Sequence, residues 1–352
     1  MTLALVVLAV GWRVPLPGLD PDGLRALQEA PTGISPAFSI FALYLTPILT
    51  VLAYVEIAKL VFPPLDRWPR ASVRKACRHD VAILVLCLML AVFQGGGVIL
   101  ALATGGLAEA DSLGFVVTGL ACFVASTALL VWLNDRLRTE TLGEGFWFLL
   151  AAMVVAGFSD EASLMAEQAR MGALTAGAIL LLVLSSIAGA VLAVFANRLL
   201  ERNTAADGAA RTSLLLWPPL LGGVVAGHVV AMLPAGVPGW PVAWPSFPPT
   251  AYLALTVLCI PVFVFLYARR FRTAREGAAV EWPVPVLLVT ATVQMVLCGG
   301  LWAVQVSVGV PPAIRAANCL SWRRCCSPCV VHTWSRDADL AMKRCPAGRG
   351  TT

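Results

Sequence analysis

Charged residues are scarce, making up 13% of a 352-residue chain that is 59% hydrophobic with a mean hydropathy of +0.82. A soluble domain carries about 25% charge, so there is too little polar surface here to coat a water-facing protein. That excludes a soluble globular fold and makes lipid the solvent for much of the chain. The opening run Met1–Val10 lacks the basic start of a signal peptide and reads as a shortened first helix. No Ser/His/Asp set and no paired carboxylates fall at membrane depth. Hydrolysis and proton coupling therefore have no visible machinery, and neither enzymatic activity nor a cofactor is expected. A soluble domain, a low-complexity linker and a short tandem repeat are all missing as well. The cysteines form no secreted disulfide framework: Cys87, Cys122, Cys259 and Cys298 sit in apolar runs, where cysteine acts as a small hydrophobe.

What remains is a series of apolar segments. A bilayer span takes about 20 residues at about 1.5 Å rise each. Nine segments suggest helices: Met1–Gly11, Pro36–Phe62, Val81–Ala103, Leu113–Leu133, Phe146–Phe158, Leu174–Asn197, Leu214–Leu233, Ala251–Phe271 and Val284–Val308. The expected fold class is all-α, a polytopic transmembrane helix bundle in one membrane domain. Lys and Arg in the connections orient it. Fourteen follow the even-numbered helices: Arg67, Arg70, Arg74, Lys75, Arg78, Arg136, Arg138, Arg198, Arg202, Arg211, Arg269, Arg270, Arg272 and Arg275. Three, Arg13, Arg25 and Arg170, follow the odd-numbered ones. That asymmetry puts the amino terminus in the cytoplasm.

Several local features call for a reading of their own. Glu56 and Lys59 near the end of the second helix have the spacing of an interfacial ion pair. His228, inside the seventh helix, reads as a neutral imidazole hydrogen-bonded to a neighbouring helix. Gly95-Gly96-Gly97 lacks the Lys-Ser/Thr of a phosphate loop and reads as close helix packing. The loop Pro234–Pro249 is rich in Pro, and Trp217, Trp240 and Trp244 suit an aromatic belt at the interface. Near the end, Cys319, Cys325, Cys326, Cys329, His332 and Cys345 do not have the spacing of a zinc finger, so no metal is expected.

Four stretches carry a family likeness. Val14-Pro-Leu-Pro-Gly-Leu-Asp20 resembles the IPxPGID turn that follows the first helix of SecY, the channel-forming subunit of the preprotein translocase. Phe38-Ser-Ile-Phe-Ala-Leu43 with Pro47 resembles its SIFALGIxPYI segment. Thr127 through Gly145 is similar to GTxxLMWLGExITExGIGNG, and Glu167-Gln-Ala-Arg170 with Gly172 to EQARxG. Phe93-Gln94 is a weaker echo. The likeness is good over 8–200, weak to 310 and absent beyond.

The resemblance implies a first half at 1–173 with helices one to five and a second at 174–310 with helices six to nine. An irregular tail follows at 311–352. It implies a ring of aliphatic side chains near mid-membrane that blocks ions and closes around a passing peptide. Carried over position by position, the ring falls on Leu45, Leu49, Leu150, Val154 and Val225. It also implies that helices two and seven line a lateral gate, and that basic residues such as Arg74, Lys75, Arg198, Arg202, Arg269 and Arg270 face the cytoplasm. Implied partners are SecE and SecG-like subunits, the SecA motor or the ribosome, unfolded polypeptides bearing signal sequences, and membrane lipid, with no nucleic acid. The implied place is the bacterial inner membrane.

Departures from the family are expected to matter. The stretch between Asp20 and Phe38 is shorter than the family's plug region by about a helix. The loops after helices six and eight, which dock the motor and ribosome in the family, are brief. The family's tenth helix is replaced after about Ala313 by polar, irregular sequence, which reads as a change of reading frame. The rival expectation is a degenerate or accessory paralogue that does not conduct protein.

Overall fold

The computed structural model describes residues 2–20, 39–104, 107, 113–137, 145–172, 174–203, 208–236, 249–273 and 282–307. Nine long helices run through them. They are α1 (Thr2–Arg13), α2 (Thr46–Val61), α3 (Val73–Thr104), α4 (Leu113–Arg136), α5 (Phe146–Arg170), α6 (Ala176–Asn203), α7 (Gly208–Gly236), α8 (Pro249–Thr273) and α9 (Val284–Ser307). A short helix at Pro63–Arg67 and a 3-10 turn at Pro69–Ala71 lead from α2 to α3. Among the described residues there is no β-strand, only one isolated bridge between Pro15 and Ser39. The second-half loop 237–248 and the tail from 308, with its cysteines and His332, lie outside the described residues.

Local chemistry sets the starts of these helices. Pro47 occupies the first turn of α2, where its missing N–H costs nothing. Ser72 is extended and its Oγ accepts the Lys75 N–H at 3.3 Å, capping α3. Thr175 does the same for α6, accepting the Ala178 N–H at 3.2 Å. Two boundaries differ from the apolar windows for a simple reason. α3 starts at Val73, ahead of Val81, and α5 runs to Arg170, well past Phe158. Backbone hydrogen bonding continues into charged sequence that hydropathy does not mark.

The second helix differs more. It begins at Thr46, not Pro36, because Tyr44 has a φ of 50°. A left-handed residue cannot sit inside a right-handed helix. Residues 39–45 instead form turns that lead into α2.

Six helices, α3, α4, α6, α7, α8 and α9, are long and apolar enough to cross a bilayer. The chain is a multi-pass all-α membrane protein. Their surroundings differ sharply. Within an 18-residue apolar window, 61% of α7 is buried by protein against 6% of α6. α7 is therefore the central helix and α6 a peripheral one, with Leu180, Leu184, Ile187 and Val191 turned outward. Lipid tails solvate such side chains as well as protein does, so their exposure carries no penalty.

α7 and α8 form the most extensive pairing, and α3 packs along α4, α6 along α9 and α8 along α9. Small residues allow the approach. A Cβ at Gly222 would lie 2.9 Å from the Thr256 carbonyl oxygen on α8. A Cβ at Gly95 would lie 2.7 Å from the Phe123 ring on α4, whereas Gly96 meets nothing within 4 Å. Close packing thus explains the first glycine of the triplet and not the second. We expect Gly222→Val to force α7 from α8 and lower stability by about 1–3 kcal/mol, read as a drop in melting temperature in detergent. Gly96→Val should stay within about 0.5 kcal/mol of the parent.

Candidate functional site

Two of the sequence stretches singled out above meet in space. Ile40 donates its N–H to the Val14 carbonyl at 3.0 Å, beside the Pro15–Ser39 bridge. Gly18 has a φ of 84°, which only glycine adopts freely, and a Cβ there would also strike the Phe115 ring at 2.9 Å. Leu16 is buried with Leu43, Ile99, Phe115 and Phe123 in a small cluster between this turn, α3 and α4. The turn after α1 therefore clamps the entrance to α2 and fixes where its side chains point.

Those side chains head the main apolar cluster. Leu45 and Leu49, one turn apart, are 1% and 0% exposed. Leu150 of α5 and Val225 of α7 are half-buried and pack against the same cluster. Side chains of three separate helices thus take part in one apolar cluster, which runs through most of the bundle. It does not gather Val154, which is 59% exposed one turn farther along α5. At the near end of α5, Phe146 and Trp147 hold Trp217 of α7: Phe146 stacks on it at 6.2 Å and Trp147 meets it edge-on at 5.0 Å. Trp217 is 2% exposed, so it is a core side chain and not the interfacial anchor the sequence suggested. Trp240 and Trp244 lie outside the described residues. An aromatic with interfacial character is instead Trp132, half-exposed, with the Arg136 guanidinium 5.5 Å over its ring.

At the far end of α2 lies a buried charge cluster. Lys59 Nζ donates to Glu56 Oε1 at 2.8 Å, the pairing expected from their spacing. The surprise is Arg270 of α8. Its Nη1 donates to Glu56 Oε2 at 2.6 Å and its Nη2 to Asp66 Oδ1 at 2.5 Å, while the Tyr267 hydroxyl donates to Glu56 Oε2 at 3.0 Å. One planar fork bridges two carboxylates, each through its own nitrogen. The cluster joins α2, the short helix after it and α8. The other basic positions face outward: Arg74, Arg198, Arg202 and Arg269 are exposed and Lys75 half-buried, all on helix ends and not in free loops.

His228 differs from expectation. Its Nδ1 lies 2.8 Å from the Val224 carbonyl of its own helix. Its contact with a neighbour is aromatic, edge-on to Tyr54 of α2 at 5.3 Å. Among the described residues no group of three His, Cys, Asp or Glu side chains could hold a metal ion.

Comparison with known proteins decides what this assembly is. The family model for SecY matches residues 39–279. The chain belongs to the SecY family. Among curated relatives, protein translocase subunit SecY of Pseudomonas aeruginosa is 26% identical over 56% of this chain and 47% of its own. That of Buchnera aphidicola subsp. Acyrthosiphon kondoi is 29% identical over 55% and 59%, and that of Escherichia coli K12 is 27% identical over 55% and 48%. The chain spans about half the length of the curated relatives it matches.

The structure also explains the motif residues. In the SecY pattern SIFALG, the glycine falls on Tyr44, which adopts the left-handed φ a glycine would. Holding a non-glycine there costs about 1–2 kcal/mol, and Tyr44 packs edge-on to Trp12 at 5.4 Å. In EQARxG, Gly172 has a φ of 73° and its N–H bonds the Ala169 carbonyl at 3.0 Å, closing α5. Glu167 and Arg170 pair at 2.7 Å just before it.

Arg270→Ala should be the most damaging single change at this end of the bundle. It takes the guanidinium from two buried carboxylates, of which Glu56 keeps Lys59 and Tyr267, at a cost of about 3–5 kcal/mol. The melting temperature in detergent should fall accordingly, and adding Asp66→Asn and Glu56→Gln should restore part of the loss. Arg198→Ala, which breaks an exposed pair to Glu201, should change little.

Proposed function

We propose that this chain is a SecY-like protein-conducting channel subunit, serving translocation or membrane insertion of unfolded preproteins. The observation that supports the reading is that Leu45 and Leu49 are buried in the main apolar cluster and that Leu150 of α5 and Val225 of α7 pack against it. A constriction lined by hydrocarbon excludes water and ions yet yields to a passing chain. It needs no catalytic group, and the chain would act without chemistry of its own or a bound cofactor. The proposed ring rests on these four side chains and leaves out Val154, which is 59% exposed.

The basic connections favour an amino terminus in the cytoplasm of a bacterium, with the protein in the inner membrane. In that orientation Arg74, Lys75, Arg198, Arg202 and Arg269 face anionic headgroups and the docking partner, SecA or the ribosome. SecE and a SecG-like subunit would embrace the bundle. The α2–α7 seam, bridged by Tyr54 and His228, would be the lateral gate through which signal sequences reach lipid.

The short stretch between Asp20 and Ser39, where the family keeps its plug, favours a second reading. In it the chain is a degenerate or accessory paralogue that inserts without conducting protein. The two readings separate cleanly. Under the channel reading, a photoreactive residue at position 45 should cross-link to a stalled secretory chain, and the protein should co-purify with SecE. Under the accessory reading position 45 gives no adduct, and that result would end the channel proposal.

A further inference from the structure

α7 contains Pro218 and Pro219 well inside its span. In an α-helix each N–H bonds the carbonyl four residues back. Proline has no N–H, so the carbonyls left without a helical donor are those of Leu214 and Leu215. Both are met from another helix. Gln294 of α9, 3% exposed, donates from its Nε2 to Leu214 O at 2.9 Å and to Leu215 O at 2.9 Å. The amide orientation follows from chemistry, since both partners are carbonyls and only the NH2 end can donate. A lone buried glutamine in an apolar helix thus meets the two acceptors that the double proline orphans.

The proline step divides α7 into two parts with different attachments. On its near side Trp217 is locked against Phe146 and Trp147 of α5. On its far side Gly222 lies against the Thr256 carbonyl of α8, and the Tyr252 hydroxyl donates to the Gly223 carbonyl at 3.2 Å. Before the step Trp217 meets α5, at the step Gln294 ties α7 to α9, and after it Gly222 and Gly223 meet α8. Between the two parts the backbone lacks two of its own hydrogen bonds and depends on a side chain that can let go.

We propose that Gln294 is a positioning residue, supplying across the α7–α9 contact the two hydrogen bonds that Pro218 and Pro219 withhold, and that this releasable tie makes the double-proline step the hinge of α7. The far part carries Val225 and the His228–Tyr54 contact, so bending at the hinge changes how far α7 stands from α2. What that movement serves rests on the channel reading. The hinge itself does not.

Amide hydrogen exchange of the full chain in phosphatidylethanolamine–phosphatidylglycerol nanodiscs tests the proposal without requiring transport. Gln294→Leu should speed exchange across 214–224 by about tenfold, the shift expected from losing two membrane-embedded bonds of modest strength. In a Pro218→Ala/Pro219→Ala background, where the helix supplies its own donors, the same change should have no effect. Equal acceleration in both backgrounds, or none in the parent, overturns the compensating role. The double proline-to-alanine variant keeps Gln294 and good helix formers, so it remains informative should Gln294→Leu fail to fold. Its exchange should be slower than the parent's, and exchange equal to or faster than the parent's overturns the hinge. A missing cross-link at position 45 with these exchange results intact would remove the channel reading and leave the hinge standing.

Discussion

Inside a bilayer no water completes a broken hydrogen bond, so every backbone N–H and C=O must find a partner within the protein. The architecture answers to that constraint. Long helices satisfy it internally, and α3 and α5 run on through charged sequence well beyond their apolar windows. Two places where the helical ladder fails have a local substitute. Gln294 serves the carbonyls orphaned by Pro218 and Pro219, and turn hydrogen bonds from Ala42, Tyr44 and Thr46 carry the chain through the irregular stretch before α2.

The same solvent removes the usual reason for packing. Apolar faces gain nothing by leaving lipid for protein, so helix pairing relies on close approach and on a few polar ties. The described helices follow this division. Gly222 and Gly95 admit backbone-level contact, and the Glu56–Asp66–Arg270 cluster joins α2 to α8 by charge. Two carboxylates matched by Arg270 and Lys59 leave the cluster near neutral, which limits the cost of burying it. α6 sits at the edge with most of its surface outward.

Much of this was legible in the sequence. Hydropathy marked where α3, α4, α6, α7, α8 and α9 lie because lipid imposes a single composition on a span. The Glu56–Lys59 pair followed from spacing along one helix. Features joining distant parts of the chain were not legible. Arg270 counted as one more basic loop residue, since nothing local reveals that it turns inward to α2. Trp217 looked like an interfacial anchor because tryptophans commonly are, and its burial depends on α5. His228 was assigned a partner on another helix, but its own helix supplies one. Gln294 left a signal that could have been used, an amide in the middle of an apolar run together with a helix holding two adjacent prolines. The proposed ring positions came from the family likeness, since composition alone gives no hint of them in a chain this rich in aliphatic residues.

Tyr44 shows how these levels meet. The SecY pattern has glycine at this position, and the backbone here keeps the glycine conformation although the residue has changed. A strained residue persists only where its surroundings over-determine it, and they do: the turn after α1 bonds to Ile40, Leu43 is buried between α3 and α4, and Leu45 is already in the main cluster. Straightening Tyr44 into helix would rotate Leu45 and Leu49 out of that cluster. The left-handed turn therefore does the work of aiming α2, and its retention against a steric cost is the physical link between the motif at residue 39 and the apolar cluster that Leu45 and Leu49 enter.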